Sequence, residues 1–222
     1  MERRRITTGQ ALAALGLVLL GLVVGWLTAG DGGDSSDGKG AANAGPTDTV
    51  EGVPVGYERS REGAVAAAVN YGAVLAEPAY VADARRRSEI LTAIATDDFA
   101  RRYKDAPGLA DVAETPLYRG AREGVRTIWT GAPLGYRVER YSDDEAVVFL
   151  WSVAIAGSAQ VKPQAAFSSG STTLRWDGED WKVAAGRNEV GPVPAPLEGT
   201  QATSGDEFTT RLSDLQGLRH AP

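Results

Sequence analysis

The side chains that could do chemistry in this sequence are few, and they gather at four places. Asp97 and Asp98 stand next to each other. Two carboxylates facing one cleft can run general acid–base or glycosidic chemistry. Adjacent helical residues, however, point about 100° apart. The run Asp97-Asp98-Phe99-Ala100-Arg101-Arg102 places acids in a first helical turn and arginines in the last. That order suits the helix dipole and i,i+4 pairing, so the pair reads as helix charge. Asp143, Asp144 and Glu145 offer oxygens to calcium, but the stretch lacks the ligand spacing and glycine of a calcium loop. A hairpin turn accounts for them. Arg85, Arg86 and Arg87 could meet a phosphate. Three consecutive helical residues fan around the axis, so they read as a solvated face. The fourth group is aromatic. Trp129, Trp151, Trp176 and Trp181 are the candidate lining of a pocket or interface; at strand spacing such residues otherwise fill a core.

The rest of the inventory narrows the chemistry further. The chain has 222 residues, a formal charge of −6, no cysteine and one histidine, His220, close to its end. Without thiols there is no disulfide scaffold, thiolate metal site or thiol nucleophile. With one histidine in a tail, the usual general base and the commonest metal ligand are missing. The acidic balance gives no footing on a nucleic-acid backbone. The expectation is therefore a protein that is not an enzyme, with no catalytic residue, no metal, no cofactor and no nucleic-acid partner.

The elements that position these residues begin with an uncharged run, Ala11 to Ala29. As a helix it is ~28 Å long, close to the thickness of a bilayer's hydrocarbon core. Arg3, Arg4 and Arg5 precede it, and Asp31, Asp34 and Asp37 follow. The positive-inside rule puts residues 1–10 in the cytoplasm and the remainder outside, giving a single-pass protein of the cell membrane. A cleaved signal peptide shares the basic start, but its apolar core is shorter and it ends in a small-x-small site, which Leu27-Thr28-Ala29 supplies poorly. Gly21 and Gly25 form a GxxxG pair, the candidate contact for a second membrane helix.

Residues 30–53 are small, polar and acidic, the composition of a flexible linker. Residues 54–187 read as one α+β domain. Ser60 caps a helix through Leu75, a second runs from about Asp83 to Ala95, a third starts at Thr96, and a looser helical stretch covers Leu109 to Glu123, broken by Pro116 and Gly120. From Val125 the period becomes two. Short strands are expected at Val125–Gly131 and Gly135–Tyr141. Ala146 to Ala156 is apolar on both faces and so central in its sheet. Phe167 to Trp176 and Trp181 to Ala185 form a hairpin around Asp177-Gly178. Residues 188–222 are a proline- and glycine-rich connector and an amphipathic helix opened by the capping box Ser204-Gly205-Asp206-Glu207, with Phe208, Leu212, Leu215 and Leu218 on one face.

Helices followed by an antiparallel sheet with a closing Trp-Asp-Gly-x-x-Trp hairpin resemble the cystatin-like, or nuclear-transport-factor-like, α+β roll. With the anchor, the chain resembles bitopic membrane subunits of type IV secretion and conjugation machines. Val53 to Leu75, VPVGYERSREGAVAAAVNYGAVL, is similar to uncharacterised actinobacterial membrane proteins. No functional residue carries over from either. The resemblance implies a membrane-anchored structural or interaction subunit of an envelope assembly, which binds other envelope proteins or itself. The alternative it implies is an extracytoplasmic module that binds a lipid or small molecule in a transport-associated complex.

Overall fold

The computed structural model describes residues 44–106, 108–195 and 203–212. The run 11–29 with Gly21 and Gly25, the basic tail, most of the linker, Leu215, Leu218 and His220 lie outside the described residues. Among the described residues no helix is long and apolar enough to cross a membrane.

The protein is α+β with antiparallel sheets. A small hairpin, β1 (Asp48–Val50) and β2 (Val53–Val55), comes first. Six helices follow: α1 (Arg61–Leu75), α2 (Pro78–Ala82), α3 (Ala84–Ile94), α4 (Asp97–Tyr103), α5 (Leu109–Ala113) and α6 (Pro116–Arg122). Then come four strands, β3 (Thr127–Tyr141), β4 (Glu145–Ser158), β5 (Gln164–Trp176) and β6 (Trp181–Val190), in the order β3-β4-β5-β6. The helix α7 (Gly205–Leu212) ends the described chain.

Side-chain caps start several of the helices where the sequence asks for them. The Ser60 hydroxyl accepts from Gly63 N at 3.0 Å, Asp83 Oδ1 from Arg85 N at 2.8 Å, and Ser204 Oγ from Glu207 N at 3.2 Å. Each satisfies an amide that the first helical turn leaves open. Asp98 pairs with Arg101 one turn on, and Asp144 pairs with Arg59, so both acidic clusters are held by arginine.

The structure departs from the expected reading at several points. The hairpin β1–β2 occupies the end of the expected linker 30–53, and Val53 is fully buried. Its turn places Glu51 and Gly52 at positive φ, which lets two very short strands pair. Pro116 opens α6 rather than breaking a helix, because a first-turn position needs no amide donor, and Gly120 lies inside it. The two expected strands before residue 142 are one, β3, with irregularities between Pro133 and Gly135 and between Val138 and Arg140. Strand β6 runs on through Gly186 to Val190, past the expected domain edge at 187. Arg87 is not on a solvated face. It is buried and donates to the carbonyls of Tyr80 at 2.9 Å, Val81 at 3.1 Å and Lys104 at 2.8 Å. Arg85 and Arg86 pair with Glu89 instead.

The core forms where α1 lies on the sheet. Ala64, Ala67, Ala68 and Tyr71 of α1 face Ala146, Val148, Leu174 and Val183, all buried. The alanines let the helix approach the strands closely, as expected of a helix made of small residues. At one end of this interface sits Asp180, 5% exposed. Its carboxylate accepts from Gly56 N at 2.9 Å, Tyr57 N at 3.0 Å, the Tyr71 hydroxyl at 3.1 Å and Trp181 N at 2.8 Å. The Trp181 indole donates to Glu58 O at 2.8 Å, and Lys182 Nζ donates to Ala93 O at 2.8 Å. The β5–β6 turn is thus tied to the segment after β2, to α1 and to the end of α3.

Two predictions follow from this end of the molecule. Asp180→Asn puts amide hydrogens where backbone N–H groups point, and it removes a charged acceptor from a buried site. Chemical unfolding should show a loss of about 3 kcal/mol; a loss within error of zero would refute the anchoring role. The second prediction concerns alkaline pH. Burial, opposed by the Asn70 donation and aided by the Asp180 charge, pushes the Tyr57 phenol up to about 12. Burial also pushes Tyr80 up to about 12, and it holds Tyr71 and Tyr118 higher still. In the unfolded chain these groups ionise near pH 10. Above that pH the unfolded state binds fewer protons than the native state, so stability that is complete below pH 10 falls as pH rises toward 12. Denaturant midpoints measured from neutral pH upward should stay level and then drop above pH 10, with tyrosinate absorbance rising as the protein unfolds.

Candidate functional site

Away from Asp180 the helix and the sheet part. The inner face of β5 runs Leu174, Thr172, Gly170, Ser168, from fully buried leucine to small and polar residues. The inner face of β4 runs Val148, Leu150, Ser152, and that of β6 runs Val183, then Gly186 and Asn188. On the helix side Gly72, Ala73 and Ala76 lie above them. Side chains this small cannot span the gap between a helix and a sheet. What remains is a cleft of about 360 Å³, with Trp129, Leu150 and Val69 as its apolar walls. That volume is at the lower end of the range for small-molecule sites.

The four tryptophans do not share one site. Trp129 lines the cleft, its ring 5.4 Å from that of Tyr118. Trp181 is fully buried in the core, with Trp176 edge-on to it at 5.5 Å and the Arg59 guanidinium over Trp176. Trp151 alternates with Leu150 and Ser152, so it lies on the opposite face of the sheet. There it stacks on Phe167 at 6.2 Å and donates to Pro192 O at 3.2 Å. Of the four residues named as candidate pocket or interface lining, only Trp129 lies at the cleft. The reason is strand parity: only Trp129 falls on the inner face beside the cleft, because Trp151 is outward and Trp176 and Trp181 sit at the closed end.

The outer face carries its own polar cluster. Arg137 lies over the Phe149 ring at 4.1 Å. Glu139 accepts from the Ser171 hydroxyl and from Arg137, both at 2.8 Å, with Arg187 at 3.6 Å. Partial burial alone would raise the Glu139 carboxyl, but those two donations and the two arginine charges hold it below the usual carboxylate range. Each charge here has a partner, so the cluster is a brace between β3, β5 and β6. Among the described residues no three histidine, aspartate or glutamate side chains converge as metal ligands would. The sequence did carry one sign of the cleft. Residues 168–173 are Ser-Ser-Gly-Ser-Thr-Thr, small and polar on both faces of a strand beside the apolar strand β4.

Residues 40–210 match the model of a protein family described as a domain of unknown function, DUF8175. No curated protein matches the chain. Among solved structures, the intermembrane space region of the chloroplast protein ARC6 is similar at 14% identity over 51% of this chain and 86% of that chain, with a TM-score of 0.31. So low a score carries no argument about fold or role.

Proposed function

The chain belongs to the DUF8175 family, and from its geometry we propose that it works by binding: a membrane-anchored extracytoplasmic domain, of the cystatin-like roll type, that holds a small molecule between α1 and the sheet. The observation that carries this reading is the cleft itself. A core that closes with leucine, valine and tryptophan at one end is left with glycine, alanine and serine at the other. Native interiors are close-packed, and an open, apolar-walled gap is retained where something enters it. The anchor at 11–29 supports the membrane part of the reading through its length and its flanking charges.

A second reading is supported by a different surface. Strand β3 is an edge of the sheet and is exposed continuously from Thr130 to Arg137, with Leu134 45% and Tyr136 59% exposed. Pro133 and the irregularity beside it block backbone pairing along this edge, which leaves its exposed side chains to make a contact. This favours an interaction subunit of an envelope assembly, which fits the conjugation- or secretion-like architecture. A photo-crosslinking residue at position 136 should then trap one defined partner or a second copy in cells, while the same residue at Arg101 traps none. Equal, diffuse labelling at both positions would sink the assembly reading.

The cleft reading has its own test. At Gly72 an added Cβ stands 3.7 Å from Leu150 Cδ1, an ordinary contact, so Gly72→Leu starts without a clash and projects into the gap. Replacing a glycine in the last turn of the helix also favours the helix, by up to about 1 kcal/mol. Backbone NMR with 2-propanol as a small amphipathic probe should show shifts concentrated at Gly72, Ser168 and Gly170. Gly72→Leu should melt no lower than the parent protein and lose those shifts. Shifts scattered over the whole surface, unchanged by Gly72→Leu, would refute the reading.

A further inference from the structure

The cleft has a polar floor that the protein itself does not use. Ser168 is 6% exposed and lines the cleft, and the β4–β5 register sets it directly opposite Ser152 on the same face. Thr172 stands two inner positions further along β5. Among the described residues none of these three hydroxyls makes a hydrogen bond. The wall is of a different kind: Val69, Leu150 and the Trp129 indole. The charges at the rim are already engaged, Glu77 with Arg86 at 3.7 Å and Arg187 with Glu139 at 3.6 Å.

From these features we propose that the ligand is a neutral carbohydrate ring, bound with its C–H face against Trp129 and Leu150 and its hydroxyls on Ser152, Ser168 and Thr172. This rests on the reading of the cleft as a binding site. An acyl chain filling the gap would strip water from three hydroxyls and give them no partner, and each stranded group weakens binding by about tenfold or more. A sugar ring offers an apolar face and a rim of donors and acceptors, which match the wall and the floor together. An ionic ligand would leave its charge without a free counter-charge, since Glu77 and Arg187 are paired. Sites built to hydrogen-bond hydroxyl groups discriminate strongly against ligands that lack them.

The test uses the full chain held in lipid nanodiscs. Labelled protein is applied to an array of neutral pentose, hexose and N-acetylhexosamine oligomers, and dodecanoate is titrated in parallel. The wild type should bind neutral glycans and not dodecanoate. Ser168→Ala and Ser152→Ala should each weaken glycan binding by about tenfold with melting temperatures unchanged, which separates recognition from folding. Dodecanoate binding that Ser168→Ala leaves intact, with a dark array, would overturn the carbohydrate assignment and leave the cleft as a binding site. Binding to neither would take down both this inference and the reading it rests on.

Discussion

One buried carboxylate sets the geometry of this fold. Asp180 accepts hydrogens from Gly56, Tyr57, Tyr71 and Trp181. An ionised group that far from water is tolerable only when its acceptor sites are filled, and here they are filled by three separate parts of the chain. The segment after β2, the middle of α1 and the β5–β6 turn can satisfy it together in one arrangement. The Tyr57 and Tyr71 rings meet edge to face at 5.5 Å beside it, and Trp181 closes the layer below. Helix α1 is therefore pinned to this layer through Tyr71.

The helix packs unevenly against the sheet along its length. Bulky residues on β4 and β5 near the pin, Val148 and Leu174, fill the interface. Beyond Leu150 and Thr172 the inner face carries serine and glycine, and the gap opens. Cleft and anchor are thus two consequences of one packing gradient along α1. The outer face is organised differently: Arg137, Glu139, Ser171 and Arg187 brace it with paired charges, and Trp151 lies beneath Pro192.

Much of this architecture was legible in the sequence where the information is local. Ser60 and Ser204 announce their helices, and Ala146 to Ala156 announces an interior strand. The Trp176 to Trp181 hairpin sits where its residues place it, although the turn closes over four residues, with Trp176 opposite Trp181. What was not legible depends on distance along the chain or on missing atoms. Nothing near Asp180 says that its partners lie at Gly56 and Tyr57, more than a hundred residues away. Arg87 looks like its neighbours Arg85 and Arg86 until α2 and α4 present carbonyls to it. Two three-residue strands at Asp48–Val55 are too short to show a period. The cleft is made of side chains that are absent, so tryptophans drew attention that belonged to Ser168, Gly170 and Gly72.

We propose above all that the open half of the α1–sheet interface holds a small molecule. Native mass spectrometry of the full chain taken from its own membrane, beside the Gly72→Leu variant, tests it most directly. The wild type should carry a non-covalent adduct of small-molecule mass that is missing from Gly72→Leu. An adduct kept by Gly72→Leu, or no adduct on either protein, would contradict it.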